Sequence, residues 1–158
     1  MLKEMIRFLE LKIPPVLLVM LTMLFMFFSS KVELFSVDAG TYGMVVSVMF
    51  LVAGAVFSIL GVVEFRRART TVNPIKPGKS SSLVDSGVYR VTRNPMYVGF
   101  FIILLAFAFL LSNLLSLVIS FCFIPYMSYF QISPEEKALS ALFGEEFEKY
   151  KSKVPRWL

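Results

Sequence analysis

Apolar, uncharged stretches alternate with charged segments along the whole chain. Residues 13–30 and 40–63 are two such stretches, and residues 95–132 continue for 38 positions without a formal charge. A helix needs about 20 residues to cross a bilayer, so the longest stretch predicts two helices. We place the tight turn between them near Ser112 and Asn113.

This pattern predicts an all-α fold, a polytopic membrane protein with four transmembrane helices. We expect one membrane domain that comprises residues 1–158. The predicted spans cover residues 13–30, 40–63, 95–112 and 114–132, with a loop at 64–94 and a tail at 133–158.

Basic residues are distributed unevenly around these spans. With four spans, 15 of the 16 Lys and Arg residues lie on one side, and only Lys31 lies on the other. Because positive charge accumulates on the cytoplasmic side, both termini, the loop and the tail are expected in the cytoplasm. A three-span arrangement would divide the loop and the tail between the two sides. The small size and the lack of a targeting segment favour a prokaryotic inner membrane.

Amphipathic segments are predicted at both ends of the chain. One helical face collects Leu2, Met5, Ile6 and Leu9, which indicates an N-terminal interfacial helix. In the tail, Ser133 is expected as an N-cap, with Pro134 in the first turn and Glu136 completing a capping box. Apolar positions then recur at helical spacing up to Gly144, where we expect a break or bend. The tail should form an amphipathic cap on the cytoplasmic ends of the spans.

Small residues form a stripe along the second predicted span. They lie within roughly 60° of one another on a helix: Gly43, Ser47, Gly54, Ser58 and Gly61. Such stripes let helix backbones approach closely. We expect tight packing within the monomer, with a homo-oligomer seam as the alternative.

Composition narrows the chemistry. Hydrophobic residues make up 57% of the chain and charged residues 17%, against about 45–50% and 25% in soluble domains. The chain has no histidine and a single cysteine, Cys122. This excludes Ser-His-Asp triads and His- or Cys-ligated metal sites, so no metal is expected. The basic residues flank apolar spans, so the expected partner is the lipid bilayer and not a nucleic acid.

Two polar segments flank the third and fourth predicted spans. The first contains Gly87, Tyr89, Arg93, Asn94, Pro95, Tyr97 and Gly99. The second contains Glu135, Glu136, Leu139, Phe143, Gly144, Phe147 and Tyr150. Because the two spans form a helical hairpin, both segments should meet at the cytoplasmic interface.

In this order the residues resemble the isoprenylcysteine carboxyl methyltransferase and phospholipid methyltransferase superfamily. Its members carry Gly-x-Tyr…Arg-His-Pro-x-Tyr-x-Gly, then Glu-Glu-x-x-Leu…Phe-Gly-x-x-aromatic-x-x-Tyr. The resemblance covers residues 65–158, whereas the first two spans match only in hydropathy. It implies S-adenosylmethionine as the methyl donor and a lipophilic acceptor (a carboxylate, thiol or phospholipid amine) that enters from the bilayer.

The resemblance also implies which residues form the site. Those expected to border the cofactor are Tyr89, Arg93, Asn94, Pro95, Tyr97, Gly99, Glu135 and Glu136. Either Glu135 or Glu136 should hold the ribose hydroxyls or the ammonium group. Arg93 and Glu136 are the expected catalytic residues.

Asn94 stands where the family usually has histidine. An asparagine side chain donates and accepts hydrogen bonds but cannot act as a base. A carboxylate or thiolate acceptor needs no base, whereas an amine must lose a proton, and Glu135 or Glu136 would have to take it. Asn94 therefore favours an acceptor that is already anionic, and it leaves a weakened activity open.

Structural roles compete with these assignments. Glu136 would serve only the capping box, and Arg93 would serve only as a positive anchor of topology. Tyr89 and Tyr97 would serve only as aromatic anchors at the membrane interface. Arg156 and Trp157 are expected to be interface anchors without a chemical role. The competing functions are an NADPH-dependent membrane reductase of the sterol reductase type and a non-catalytic membrane scaffold.

Overall fold

The computed structural model describes residues 10–69 and 81–158. The interfacial helix predicted over Leu2–Leu9 lies outside these residues, as does the middle of the predicted loop. The longer helices are α1 (Pro15–Ser29), α2 (Gly40–Arg67), α3 (Pro95–Leu111), α4 (Leu114–Tyr126), α5 (Ser133–Phe143) and α6 (Glu145–Lys153). Short 3₁₀ turns occur at Glu33–Phe35 and Gly87–Arg90. In the described part of the chain, the only extended pairing is a single bridge between Ser36 and Asn113.

Within residues 10–69 and 81–158, two helices are long and apolar enough to cross a membrane. These are α2 and the continuous helix Leu114–Phe143, which contains α4 and α5. Helices α1 and α3 are apolar but shorter, with 15 and 17 residues. Helix α3 packs against α1, α2 and α4. Helix α3 is therefore the helix that contacts each of the other three apolar helices.

The hairpin of α3 and α4 turns where the sequence predicted it. Pro95 begins α3, because proline fits a first turn whose N–H would have no partner. Ser112 ends the helix in the left-handed region, with φ 48°. The Asn113 side chain then accepts a hydrogen bond from the Ser116 N–H at 3.0 Å, which caps α4. Both segments of the predicted site are thereby returned to the same end of the bundle.

The small-residue stripe on α2 packs against α3 within the monomer. A Cβ added at Gly54 would lie 2.7 Å from the carbonyl oxygen of Gly99, and one added at Gly61 would lie 2.7 Å from Cγ of Met96. The backbones of α2 and α3 therefore approach closely, as the stripe predicted.

The prediction that Ser133 caps a new helix is wrong. Ser133 has helical backbone angles, φ −61° and ψ −44°, and it follows a π-helical stretch, Met127–Ile132, that joins α4 to α5 without a break. Pro134 has no N–H to donate to the carbonyl of Phe130. That carbonyl accepts a hydrogen bond from the N–H of Leu11 at 3.1 Å instead. A lost bond within the helix is thus replaced by a contact with the segment that precedes α1.

The helix of the tail breaks at Gly144, as predicted. Gly144 has φ 54°, a left-handed conformation that glycine adopts without steric cost. Helix α6 then buries Phe147 and Tyr150 in a cluster with Val84, Tyr89 and Val154. This contact places α6 beside the polar segment that precedes α3.

Candidate functional site

A cavity lies where the start of α3, helix α5 and helix α6 meet residues 82–84. Its walls are formed by Phe65, Ser82, Leu83, Val84, Tyr89, Arg93, Asn94, Met96, Tyr97, Glu135, Glu136, Leu139, Phe147 and Tyr150. The cavity lining includes six of the eight residues expected to border a cofactor. Residues from both polar segments therefore face one space.

Pro95 and Gly99 do not line this cavity. Pro95 is buried at the first position of α3. Gly99 faces α2, where an added Cβ would lie 2.6 Å from the carbonyl oxygen of Gly54. In this structure the two residues start and pack the helix that carries Tyr97.

Arg93 connects the cavity wall to the end of α6. Its Nη2 donates to Oε1 of Glu136 at 2.7 Å, and the exposed fractions of the two side chains are 10% and 12%. Its Nη1 donates to the carbonyl oxygens of Lys151 at 2.9 Å and Val154 at 2.6 Å. Arg93 therefore binds carbonyls at the C-terminus of α6, an end where a cation is favoured.

Glu136 lies between two guanidinium groups. Besides Arg93, its carboxylate accepts from Nε of Arg156 at 3.1 Å and from Nη2 of the same side chain. Burial acts to raise the pKa of Glu136, but hydrogen bonds and charge from Arg156 and Arg93 hold that pKa below its usual value. Glu136 is therefore ionised. Because its carboxylate binds arginines and Ser133 is no cap, the capping-box role is excluded.

Glu135 has the opposite environment. Its Oε1 accepts from the hydroxyl of Tyr97 at 2.6 Å and from Nε2 of Gln131 at 2.6 Å. It lies on α5, three residues beyond the predicted fourth span. Burial raises the pKa of Glu135 to about 7, although both hydrogen bonds oppose the rise. Two adjacent carboxylates thus differ in charge near neutral pH.

The side chain of Asn94 holds the C-terminal segment. Its Nδ2 donates to the carbonyl oxygen of Arg156 at 2.9 Å, and the Thr92 hydroxyl donates to the same oxygen at 3.2 Å. The backbone N–H of Arg93 donates to the carbonyl of Pro155 at 3.0 Å. The Asn94 side chain is therefore used here to hold residues 155 and 156 at the start of α3.

Aromatic side chains form one side of the cavity. Tyr89 lies edge-to-face with Phe65, with ring centroids 5.4 Å apart, and its carbonyl accepts from the Tyr150 hydroxyl at 2.7 Å. Burial raises the pKa of both Tyr89 and Tyr150, so both phenols stay protonated. The exposed fractions of Tyr89 and Tyr97 are only 4% and 5%, which excludes the role of lipid-facing interface aromatics.

Sequence reasoning missed three polar residues. Glu64, buried near the end of α2, accepts from the hydroxyl of Ser86 at 2.6 Å and fits against Gly87. Arg156 was expected to be a simple interface anchor, yet it pairs with Glu136. Gln131 binds Glu135. Two of them had a signal in the sequence. Glu64 is a carboxylate directly after an apolar span, and Gln131 is a glutamine four positions before a glutamate.

The donor set does not suggest a metal centre. Within residues 10–69 and 81–158, no group of three or more Asp, Glu, Cys or His side chains could hold a metal ion. The described site instead combines two carboxylates, one of them paired with two arginines, with an aromatic and aliphatic wall.

The apolar helices, and a cavity at the end of the hairpin that is lined by apolar and charged side chains, indicate a helical membrane protein. Family comparison then identifies the group, since the phospholipid methyltransferase model matches residues 42–146. The chain belongs to the phospholipid methyltransferase family, within the superfamily that includes the isoprenylcysteine methyltransferases. Its apolar helices and its family make it an integral membrane protein.

Individual relatives agree with this family. The protein-S-isoprenylcysteine O-methyltransferase of Schizosaccharomyces pombe is 34% identical over 107 residues, which are 67% of this chain and 45% of the relative. A probable protein-S-isoprenylcysteine O-methyltransferase of Oryza sativa subsp. indica is 34% identical over 110 residues, 69% of this chain and 57% of the relative.

An uncharacterized protein of Haemophilus influenzae is 43% identical over 63 residues, 40% of this chain and all of the relative. The chain spans about half the length of the two isoprenylcysteine methyltransferases. No solved structure matches the chain.

Proposed function

We propose that this protein is an S-adenosylmethionine-dependent methyltransferase that acts on a lipophilic acceptor at the cytoplasmic face of a membrane. One observation carries the proposal: the two polar segments typical of the family line a single cavity in this chain. The same proposal includes four spans, cytoplasmic termini and a prokaryotic inner membrane, with the bilayer as partner and source of the acceptor.

The residues around the cavity fit an adenosyl cofactor. The rings of Phe65, Tyr89 and Phe147 offer apolar surface for a nucleobase. Glu135 offers a carboxylate for the ribose hydroxyls or an ammonium group, because both of its hydrogen bonds use Oε1. Nε of Arg93 is buried and has no hydrogen-bond partner among the described residues, so a polar ligand group would satisfy it.

The cofactor, when bound, supplies a methyl group on a positively charged sulfur. Glu135, when ionised, places a negative charge at the cavity, which favours binding of a cation. Arg93 and Arg156 hold Glu136 in one orientation, and Asn94 holds the carbonyl of Arg156. The chain contributes alignment and electrostatics, which are the main requirements of such a transfer.

The acceptor we propose is one that carries its negative charge before the reaction, a carboxylate or a thiolate. Asn94 cannot act as a base, and its amide is bound to the tail. Glu136 is ionised but engaged by two arginines. Glu135, with a pKa of about 7, is the group that could take a proton from an amine acceptor. An anionic acceptor makes that step unnecessary.

A transfer assay tests this function. The detergent-purified protein is incubated with methyl-labelled S-adenosylmethionine and a total lipid extract, and label in the organic phase is measured. We expect transfer by the wild type and a loss of at least about tenfold in Glu135→Gln, because a hydrogen bond to a charged group is lost. Lys149→Ala, on the exposed face of α6, is the matched control.

One set of results would contradict the methyltransferase proposal. If neither label transfer nor binding of S-adenosylmethionine is detected in protein that is folded, the methyltransferase proposal is wrong. Binding of NADPH under the same conditions would favour the reductase, and binding of neither ligand would favour a membrane scaffold.

A further inference from the structure

Among the described contacts, hydrogen bonds reach only one of the two carboxylate oxygens of Glu135. The Tyr97 hydroxyl and the Gln131 amide both donate to Oε1, each at 2.6 Å. Among the described contacts of Glu135, no hydrogen bond reaches Oε2. Glu135 lines the cavity, so the protein fixes one oxygen of this carboxylate and leaves the other for a ligand.

Gln131 lies four positions before Glu135, a spacing at which side chains on a helix meet. It lies in the π-helical stretch between α4 and α5, and only 3% of its surface is exposed. Single π-helical turns within longer helices are rare overall, but where they occur they are often at functional sites. Pro134 lies between the two residues and leaves the helix one N–H short at this point. A buried amide in such a stretch, bonded to a cavity carboxylate, calls for an explanation beyond packing.

We propose that Gln131 and Tyr97 are positioning residues that hold Glu135 so that its second oxygen accepts a hydrogen bond from a hydroxyl or ammonium group of the bound ligand. This inference rests on the proposed function for the identity of that ligand. It assigns a role to Gln131, which belongs to neither polar segment of the family pattern, and it selects Glu135 over Glu136 as the carboxylate that contacts the ligand.

The groups around Glu135 determine the pH at which this carboxyl ionises, and that pH is the property to measure. Tyr97 faces Glu135 from α3, Tyr89 faces it from the 3₁₀ turn, and Glu136 lies beside it on α5. Arg93 and Tyr150 line the same cavity. An amide or hydroxyl that donates to a carboxylate favours its ionised form. Removal of either donor should therefore raise the pH at which Glu135 ionises.

Infrared difference spectroscopy measures that pH without any ligand. The carboxylic acid band of Glu135 is isolated by subtracting the spectrum of Glu135→Gln, and it is followed from pH 5 to 9. We expect a wild-type midpoint near 7, raised by about one pH unit in Gln131→Met, which loses the amide. Tyr97→Phe should raise the midpoint in the same direction, so the proposal remains testable if the first variant does not fold.

A control and a binding measurement separate positioning from general destabilisation. Ser128→Ala alters the same π-helical stretch, where Ser128 binds Trp157, and it should leave the midpoint unchanged. S-adenosylhomocysteine should bind Gln131→Met at least about fivefold more weakly than wild type.

An unchanged midpoint in folded Gln131→Met or Tyr97→Phe would overturn the inference, as would unchanged affinity. If the wild type binds no adenosyl ligand, the proposed function fails, and the ligand contact inferred here fails with it. A midpoint shift would then still establish that Gln131 holds Glu135.

Discussion

At the scale of single residues, two adjacent glutamates have different tasks. Glu136 forms the centre of an ion-pair network with Arg93 and Arg156, whereas Glu135 binds uncharged donors. From the sequence, either glutamate could have held a ligand. The distinction depends on which side chains of α3 and of the tail face each carboxylate, and no spacing along the chain contains that information.

Loss of Glu136 should cost more stability than loss of Arg156. Glu136→Ala leaves Arg93, a buried cation, without its carboxylate, and breaking a buried pair in this way costs about 3 kcal/mol. Arg156→Ala leaves Glu136 still paired with Arg93, and Arg156 is itself more than one-third exposed. Thermal unfolding in detergent should rank the variants in this order, and the reverse order would contradict the network.

Asn94 should be replaceable by histidine but not by leucine. An imidazole N–H can donate to the carbonyl of Arg156, as the Asn94 amide does at 2.9 Å, whereas leucine cannot. Asn94→His is expected to keep the affinity for S-adenosylhomocysteine within about threefold, and Asn94→Leu to lose about 1 kcal/mol of stability. Calorimetry and thermal unfolding measure these effects. Equal behaviour of the two variants would mean that the bond to the tail is unimportant.

At the scale of helices, close packing of α2 on α3 positions the site. The stripe of small residues was visible in the sequence, and so was the turn at Ser112 and Asn113, because both depend on local pattern. The continuous helix from Leu114 to Phe143 was not foreseen. Ser133 followed by Pro134 is typical of a helix start. Here both residues instead continue a helix, because the π-helical stretch before them joins α4 to α5 without a break.

Substitution of Gly54 tests the packing of α2 on α3. Gly54→Ala places a Cβ about 2.7 Å from the backbone oxygen of Gly99, so the helices must separate. Overpacking of this kind costs about 1–3 kcal/mol. Ala53→Leu adds a larger side chain on the exposed face of α2 and serves as the control. Thermal unfolding should show a clear loss in the first variant only; equal losses in both would refute close packing at Gly54.

At the scale of the whole molecule, the last residues of the chain are bonded to the start of α3 and to the π-helical stretch. Contacts from Thr92, Arg93 and Asn94 hold residues 155 and 156, and Trp157 donates to Ser128 on the π-helical stretch. The sequence predicted that both polar segments would meet, since a hairpin joins them. Hydrophobic periodicity did not predict the pairing of Arg156 with Glu136, which depends on the path of the last five residues.

Membrane topology gives a prediction at this scale. In a Cys122→Ala background, Lys149→Cys should react with a membrane-impermeant thiol reagent only after the cell membrane is permeabilised. Ser36→Cys, in the segment between α1 and α2, should react in intact cells. The reason is that 15 of the 16 basic residues fall on one side of a four-span arrangement. Labelling of Lys149→Cys in intact cells would overturn that orientation.

The central claim is that the cavity between α3, α5 and α6 binds an adenosyl cofactor through Glu135. Calorimetric titration of the detergent-purified protein with S-adenosylmethionine and S-adenosylhomocysteine tests it most directly. We predict saturable binding at one site per chain, weakened at least about tenfold by Glu135→Gln and unchanged by Lys149→Ala. Absence of binding by folded wild-type protein, or equal affinity in Glu135→Gln, would contradict the account.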